Sequence, residues 1–225
     1  MAASEPSGDA LSIPHEIETV ASTPQSLRGL SILQTLRDAT RSAHARIEGS
    51  PAMLRLMSDD YTEPEYVQHL GRLLGFYEPF EAALAEGGAD DEAPASQCRS
   101  RLLRRDLRTL GLARAQIQTL ARCGKLPRVT GANLLGCLYV YEGAALGGQT
   151  IARRLRQTLP STPSFAFYHQ DAAGTGRRWR AFCLSLETRD AVSLRAICES
   201  AVAVFDTFEN WLEGTSLSAA QPSST

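Results

Sequence analysis

The chain has 225 residues, 43% of them hydrophobic, and a net charge of −2. That is enough apolar material for one core or two small ones, and it excludes a fibre, a fully disordered chain and a globally basic nucleic-acid binder. Lys125 is the one lysine; the arginine bias fits a GC-rich coding sequence first and bidentate recognition of carboxylate or phosphate second.

Residues 1–27 are rich in Ser, Pro, Ala and Glu, show weak periodicity, and read as a flexible tail. The opening MAASEPSGDA lacks a basic stretch followed by an apolar one, so no secretory signal is expected there. From Leu33, the apolar set Leu33, Leu36, Ala43 and Ile47 follows three-four spacing and predicts a helix. Thr62 with Glu65 three residues on is a capping-box signature. Tyr66, Leu70, Leu73, Tyr77, Phe80 and Leu84 carry that second helix onward. AEGGADDEAPASQ is a loop. Two shorter helices are expected at Cys98–Leu110 and Ala113–Arg122, stopped by Gly111 and Gly124. A long helix over Val129–Leu159 ends at LPSTPS. After the aromatic patch FAFYH come a helix at Gly176–Glu187 and a last one from about Asp190 to Glu213, with Phe205, Phe208 and Trp211 expected in the core. Residues 215–225 read as a second flexible tail. With no alternating strand and no internal repeat, the expectation is a single all-α domain over 28–214.

No run reaches the 18 or so apolar residues that span a bilayer. The five cysteines, Cys98, Cys123, Cys137, Cys183 and Cys198, form no CxxC or zinc-like spacing and read as reduced, buried small hydrophobes. A cytoplasmic protein with no membrane or nucleic-acid partner is expected.

Four histidines are available for chemistry. His15 lies in the tail, His169 in a loop, and His69 is expected at a surface or boundary position. His44 stands on or beside the apolar face of its helix, with Glu48 four residues on. Positions i and i+4 face each other. Glu48 can therefore accept Nδ1–H of His44 and leave Nε2 as a lone-pair donor, the support a metal-bound histidine receives. An ordinary helix pair has the same spacing. No other ligand cluster joins His44, so a metal held there would bring its remaining ligands with it, as the iron of haem does.

The long helix contains Gly143, Gly147 and Gly148, each costing about 0.5–1 kcal/mol relative to Ala. Gly143 and Gly147 share a face and would bring bare backbone close to a flat macrocycle. Close helix–helix packing through small residues would use them equally well.

Two stretches together carry a family resemblance. LRDATRSAHARIE, residues 36–48, resembles the proximal helix of haem oxygenases, in which Thr precedes the ligand His by four and Glu follows by four. LYVYEGAALGGQTIARRL, residues 138–155, resembles their distal helix, especially that of soluble bacterial forms paired with bacteriophytochromes. The resemblance implies an all-α haem-oxygenase-like fold with haem between the two helices. It also implies oxidative cleavage of bound haem to biliverdin, iron and carbon monoxide, using O2 and electrons from an external donor of ferredoxin or reductase type. A bacteriophytochrome is the implied acceptor of biliverdin. His44 would be the axial ligand, Glu48 its partner, and Thr40 part of the same motif. Gly143 and Gly147 would lie over the distal face, with Gly148 and Tyr141 beside them. Arg37, two turns before His44, and Arg177 and Arg180 of GRRWRAF would meet the propionates, Arg180 ahead of its neighbours, Arg178 included. Animal members carry Asp directly after the first distal glycine, where this chain has Ala144. That difference suggests, as an alternative, a non-catalytic haem-binding or storage protein; a helical interaction protein, in which His44 and the glycines only pack, is a third.

Overall fold

The computed structural model describes residues 24–89, 98–131, 133–169, 172–187 and 194–214. Every regular element among them is helical: α1 (Pro24–Glu48), α2 (Pro51–Leu56), α3 (Glu63–Glu86), α4 (Arg99–Thr109), α5 (Arg114–Thr119), α6 (Leu134–Thr158), α7 (Ala172–Glu187) and α8 (Leu194–Gly214). Both expected tails up to residue 23 and from 215, most of the AEGGADDEAPASQ loop, His15 and the proposed start of the last helix at Asp190 lie outside the described residues. Helix α1 already runs at 24–27, the end of the segment expected to be a flexible tail.

Local chemistry sets most boundaries. Ser50 caps α2 by accepting the Met53 N–H at 3.3 Å, and Pro51 follows at the first turn, where its missing N–H costs nothing. This short helix was not expected. At the start of α3, Glu65 accepts the backbone N–H of Thr62 at 2.9 Å, the reach-back half of the capping box. Gly111, at φ 93°, terminates α4 as expected. Helix α5 stops at Thr119, three residues early, because the Arg122 guanidinium bonds the carbonyls of Leu120 at 2.6 Å and Ile117 at 3.3 Å. Helix α6 begins at Leu134 rather than Val129. Asn133 accepts the Thr130 N–H at 2.8 Å and donates to Arg128 O at 3.0 Å, tying the preceding residues into a turn.

Helices α1 and α6 both lie against α7 and α8, while α3 packs on α4 and touches α6 and α8. Leu36, Tyr66, Leu70, Phe76, Leu103 and Leu155 are fully buried in the resulting core, each worth about 1.5–3 kcal/mol. Two glycines make that packing possible. Pro79 inside α3 has no N–H for the Gly75 carbonyl, and the Cys123 N–H takes that carbonyl at 2.9 Å. A Cβ on Gly75 would stand 2.5 Å from Ala121 O and 2.6 Å from the Trp211 ring. On α6, a Cβ on Gly136 would stand 2.0 Å from Ile197 O of α8.

No helix among the described residues is long and apolar enough to cross a membrane. All five cysteines are free thiols. Cys123 and Cys137 are buried as expected, whereas Cys98 is exposed beside the N-terminus of α4.

Candidate functional site

A cavity of about 460 Å³ lies among α1, α3, α6 and α8, inside the range of about 300–1,000 Å³ usual for ligand sites. It brings together seven of the residues singled out from the sequence: Arg37, His44 and Glu48 from α1, and Tyr141, Gly143, Gly147 and Gly148 from α6.

On the α1 wall, His44 is half-exposed, with Nδ1 3.4 Å from Glu48 Oε2. Its ring meets Phe205 of α8 edge-on, centroids 5.8 Å apart at 79°. The carboxylate on one side and the aromatic face on the other restrict the imidazole; a proton on Nδ1 leaves the Nε2 lone pair available. Phe205 and Phe208, expected as plain core residues, are half-buried and line the cavity. Trp211 is the one of the three that packs away from it, donating to Arg72 O at 2.8 Å.

On the α6 wall, the glycines divide. A Cβ on Gly143 would meet only the Trp179 ring of α7, at an ordinary 3.6 Å. A Cβ on Gly147 would meet nothing within 4 Å. Neither is needed for helix packing; both leave a strip of the cavity wall free of side chains. Gly148 is tighter, 3.3 Å from Tyr168 O.

Thr40 does not line the cavity. Its hydroxyl donates to Leu36 O at 2.7 Å and lies 3.3 Å from the Tyr139 hydroxyl, joining α1 to α6 one turn before the glycines. Arg177 and Arg180 are exposed on α7 and are not part of the cavity wall. Their neighbour Arg178 turns inward and pairs with buried Glu142 of α6 at 3.3 Å. Which arginine of GRRWRAF faces inward depends on the rotation of α7. The arginines that do reach the wall are Arg37, Arg99 and Arg153; the last two were not anticipated.

His69 corrects an expectation. It is buried, lines the cavity, and its Nε2 lies 2.6 Å from the Tyr168 hydroxyl. Burial pulls its pKa down to about 4, so it is neutral at pH 7. The signal was present: His69 stands three residues after Tyr66 and four before Leu73, on the apolar face of α3. The segment leading to Tyr168 is held by Asp106, which is fully buried and accepts Ala166 N–H at 3.0 Å, Phe167 N–H at 2.8 Å and the Ser164 hydroxyl at 2.5 Å. His169, one residue on, is exposed in the loop.

Among the described residues, no three His, Cys, Asp or Glu side chains gather as a metal site. One carboxylate-backed imidazole facing a cavity with a Cβ-free strip fits a planar ligand whose metal carries its own equatorial donors.

Solved structures of bacterial haem oxygenases share the fold. The Neisseria meningitidis enzyme, solved with NO and CO bound, superposes with a TM-score of 0.66 at 19% identity, over 84% of this chain and 94% of that one. Heme oxygenase-1 of Synechocystis sp. PCC6803 in complex with heme gives 0.64 at 16% identity, over 82% and 92%. The Leptospira interrogans enzyme gives 0.64 at 19%, over 82% and 99%. In sequence, a heme oxygenase of Xanthomonas campestris pv. campestris (strain 8004) is 38% identical over 87 residues, which spans 39% of this chain and 49% of that protein. The family profile described as Heme oxygenase matches residues 30–214, and the chain belongs to that family.

Proposed function

We propose that the protein binds haem in this cavity and opens it oxidatively to biliverdin, iron and carbon monoxide. The observation that carries the proposal is the pairing, across one cavity of a haem oxygenase family member, of His44 with a strip of α6 that has no side chains. Bound haem supplies both the iron at which oxygen is reduced and the macrocycle that is cleaved. The rest belongs to the chain. His44 would hold the haem iron, with Glu48 orienting the imidazole. Gly143 and Gly147 let the α6 backbone approach the opposite face and leave room there for a small molecule such as oxygen. Trp179 and Phe208 exclude water from the flanks. Because Arg177 and Arg180 are not in the wall, the propionates are assigned to Arg37 and Arg153. Electrons are assigned to an external donor of ferredoxin or reductase type, and a bilin-binding photoreceptor of the bacteriophytochrome type is the proposed acceptor of the product. Five free thiols suit a reducing compartment such as the cytoplasm.

The test is a hemin titration of the full chain. A Soret band typical of histidine-ligated haem is expected, and His44→Ala should weaken or shift it; an unchanged band removes the ligand assignment. With a reductant added and catalase present to remove free peroxide, the Soret band should give way to bilin absorbance. A stable ferrous or oxygenated complex would instead identify a haem carrier.

A further inference from the structure

The innermost charge of the cavity comes from a helix that no sequence motif marked. Arg99, the first residue of α4, is 2% exposed and lines the cavity. Its Nη1 donates to the Tyr77 hydroxyl at 3.2 Å. Its guanidinium lies 5.2 Å above the Tyr77 ring and 4.1 Å above the Tyr141 ring. Among the described residues no carboxylate is within ion-pair distance of it. Aromatic faces can return about 2 kcal/mol or more to a desolvated cation. Burial pulls the guanidinium pKa down, but Tyr77, Tyr141 and Glu142 more than offset this, so Arg99 stays charged.

Tyr141, beneath that cation, forms part of the cavity wall. Its hydroxyl donates to Glu81 Oε1 at 2.8 Å. Glu81 is half-buried on α3, and its other oxygen accepts from the exposed Cys98 thiol at 2.7 Å. One carboxylate therefore touches the solvent side through Cys98 and the cavity side through Tyr141. It also accepts the backbone N–H groups of Arg99 and Ser100, which secures the N-terminus of α4.

The geometry points to Glu81 and Tyr141 as a proton-delivery route into the cavity, with Arg99 as the positioning residue that holds the Tyr141 ring. This rests on the function proposed above. Oxygen atoms that do not enter biliverdin or carbon monoxide leave as water, and each water formed takes up two protons. Once Glu81 has taken a proton from solvent, the Tyr141 hydroxyl turns from Glu81 toward the cavity, and Glu81 donates to the Tyr141 oxygen as that hydroxyl releases its own proton to the acceptor there. The transfer leaves the Tyr141 hydroxyl donating to an ionised Glu81 again, as in the structure, and no electron passes through the pair. Burial raises the Tyr141 pKa well above the usual range, only partly opposed by Arg99, so it works as a neutral hydroxyl and not as a phenolate.

The other polar groups of the cavity are less suited. Ala144, directly after Gly143, has nothing to titrate. His69 and Tyr168 bond to each other, both buried. The Tyr139 hydroxyl is engaged with Thr40, and His44 and Glu48 occupy the opposite wall.

The test uses the hemin complex of the full chain and of the variants Glu81→Gln, Tyr141→Phe and the two combined. Gln keeps an acceptor oxygen for the α4 amides but cannot pass a proton. Hemin affinity should stay within about twofold of the parent, and the Soret band should keep its position. Single-turnover bilin formation should fall at least about 100-fold in each single variant, the scale of a lost acid–base group. The double variant should fall no further, because both residues serve one route. A readout free of turnover is the C–O stretching band of the carbon monoxide complex: Tyr141→Phe should move it to higher wavenumber as the hydroxyl dipole is lost. An unmoved band, additive losses, or bilin formation within about twofold of the parent in either variant overturns the route. If the parent chain forms no bilin, the proposed function fails first, and the unmoved or moved C–O band still decides whether Tyr141 faces the ligand.

Discussion

Gly136 and Gly147 sit on the same helix, three turns apart, and serve opposite purposes. At Gly136, α6 is pressed against α8 so closely that a Cβ would stand 2.0 Å from a backbone oxygen and 2.1 Å from the Ser200 hydroxyl oxygen. At Gly147 the same atom would meet nothing within 4 Å, and the residue faces a cavity. Both forgo helix propensity, about 0.5–1 kcal/mol each. At the first the return is a packed seam; at the second it is empty space beside bare backbone. A glycine in a helix therefore has no single meaning: its neighbours decide whether it serves the fold or a ligand.

The largest effect expected from this contrast is at the seam. Gly136→Ala should cost about 3 kcal/mol or more, since the atom in the way is main chain and cannot rotate aside. Chemical denaturation of the ligand-free chain would measure it, and a loss below about 1 kcal/mol would mean that α6 and α8 can separate freely.

The buried part of the cavity wall, where His69 meets Tyr168 beside Gly148, should behave like the seam and not like the open wall. With a folded pKa of about 4 against an unfolded value of 6.5, His69 resists protonation in the fold. The unfolded chain binds the extra proton between those values, so stability rises with pH across that window and is lost as pH falls through it. The loss attributable to His69 is on the order of 3 kcal/mol between pH 6.5 and 4. Denaturation midpoints at a series of pH values should show that slope in the parent and a shallower one in His69→Gln. An identical slope in both would mean that His69 meets water.

The smallest stability effect should be at the open wall, and of opposite sign. Gly147→Ala should raise the stability of the ligand-free chain by about 0.5–1 kcal/mol while weakening hemin binding, read from the Soret titration. If hemin binding is unaffected, Gly147 faces the cavity without limiting how closely a ligand approaches.

Much of the fold was legible along the chain. Three-four spacing in α1 and α3, the Thr62–Glu65 cap and the Gly111 stop are local signals, and each acts within about one turn. The errors fell where a distant group competes with the helix. The carbonyls that Arg122 binds end α5 early, and the Asn133 side chain delays α6. At the site, the His44–Glu48 pair and the three clustered glycines could be read because each lies within a single helix. Arg177 and Arg180 were expected to face the cavity but do not, because the angular position of α7 about its own axis is set by Trp179 and Phe182 against Tyr139 of α6 and by the Arg178–Glu142 pair.

Residue order alone was sufficient for the helical class, for an imidazole with a carboxylate one turn on, and for a helix with three glycines near its middle. These depend on spacing within one element, and helical periodicity converts spacing directly into a face. Three-dimensional packing alone assigned Gly136 to the seam and Gly147 to the cavity, carried Arg99 of α4 over the Tyr141 ring, and kept His69 neutral. Those outcomes depend on which atoms from other helices stand within a few ångströms, and no spacing within one helix encodes that distance.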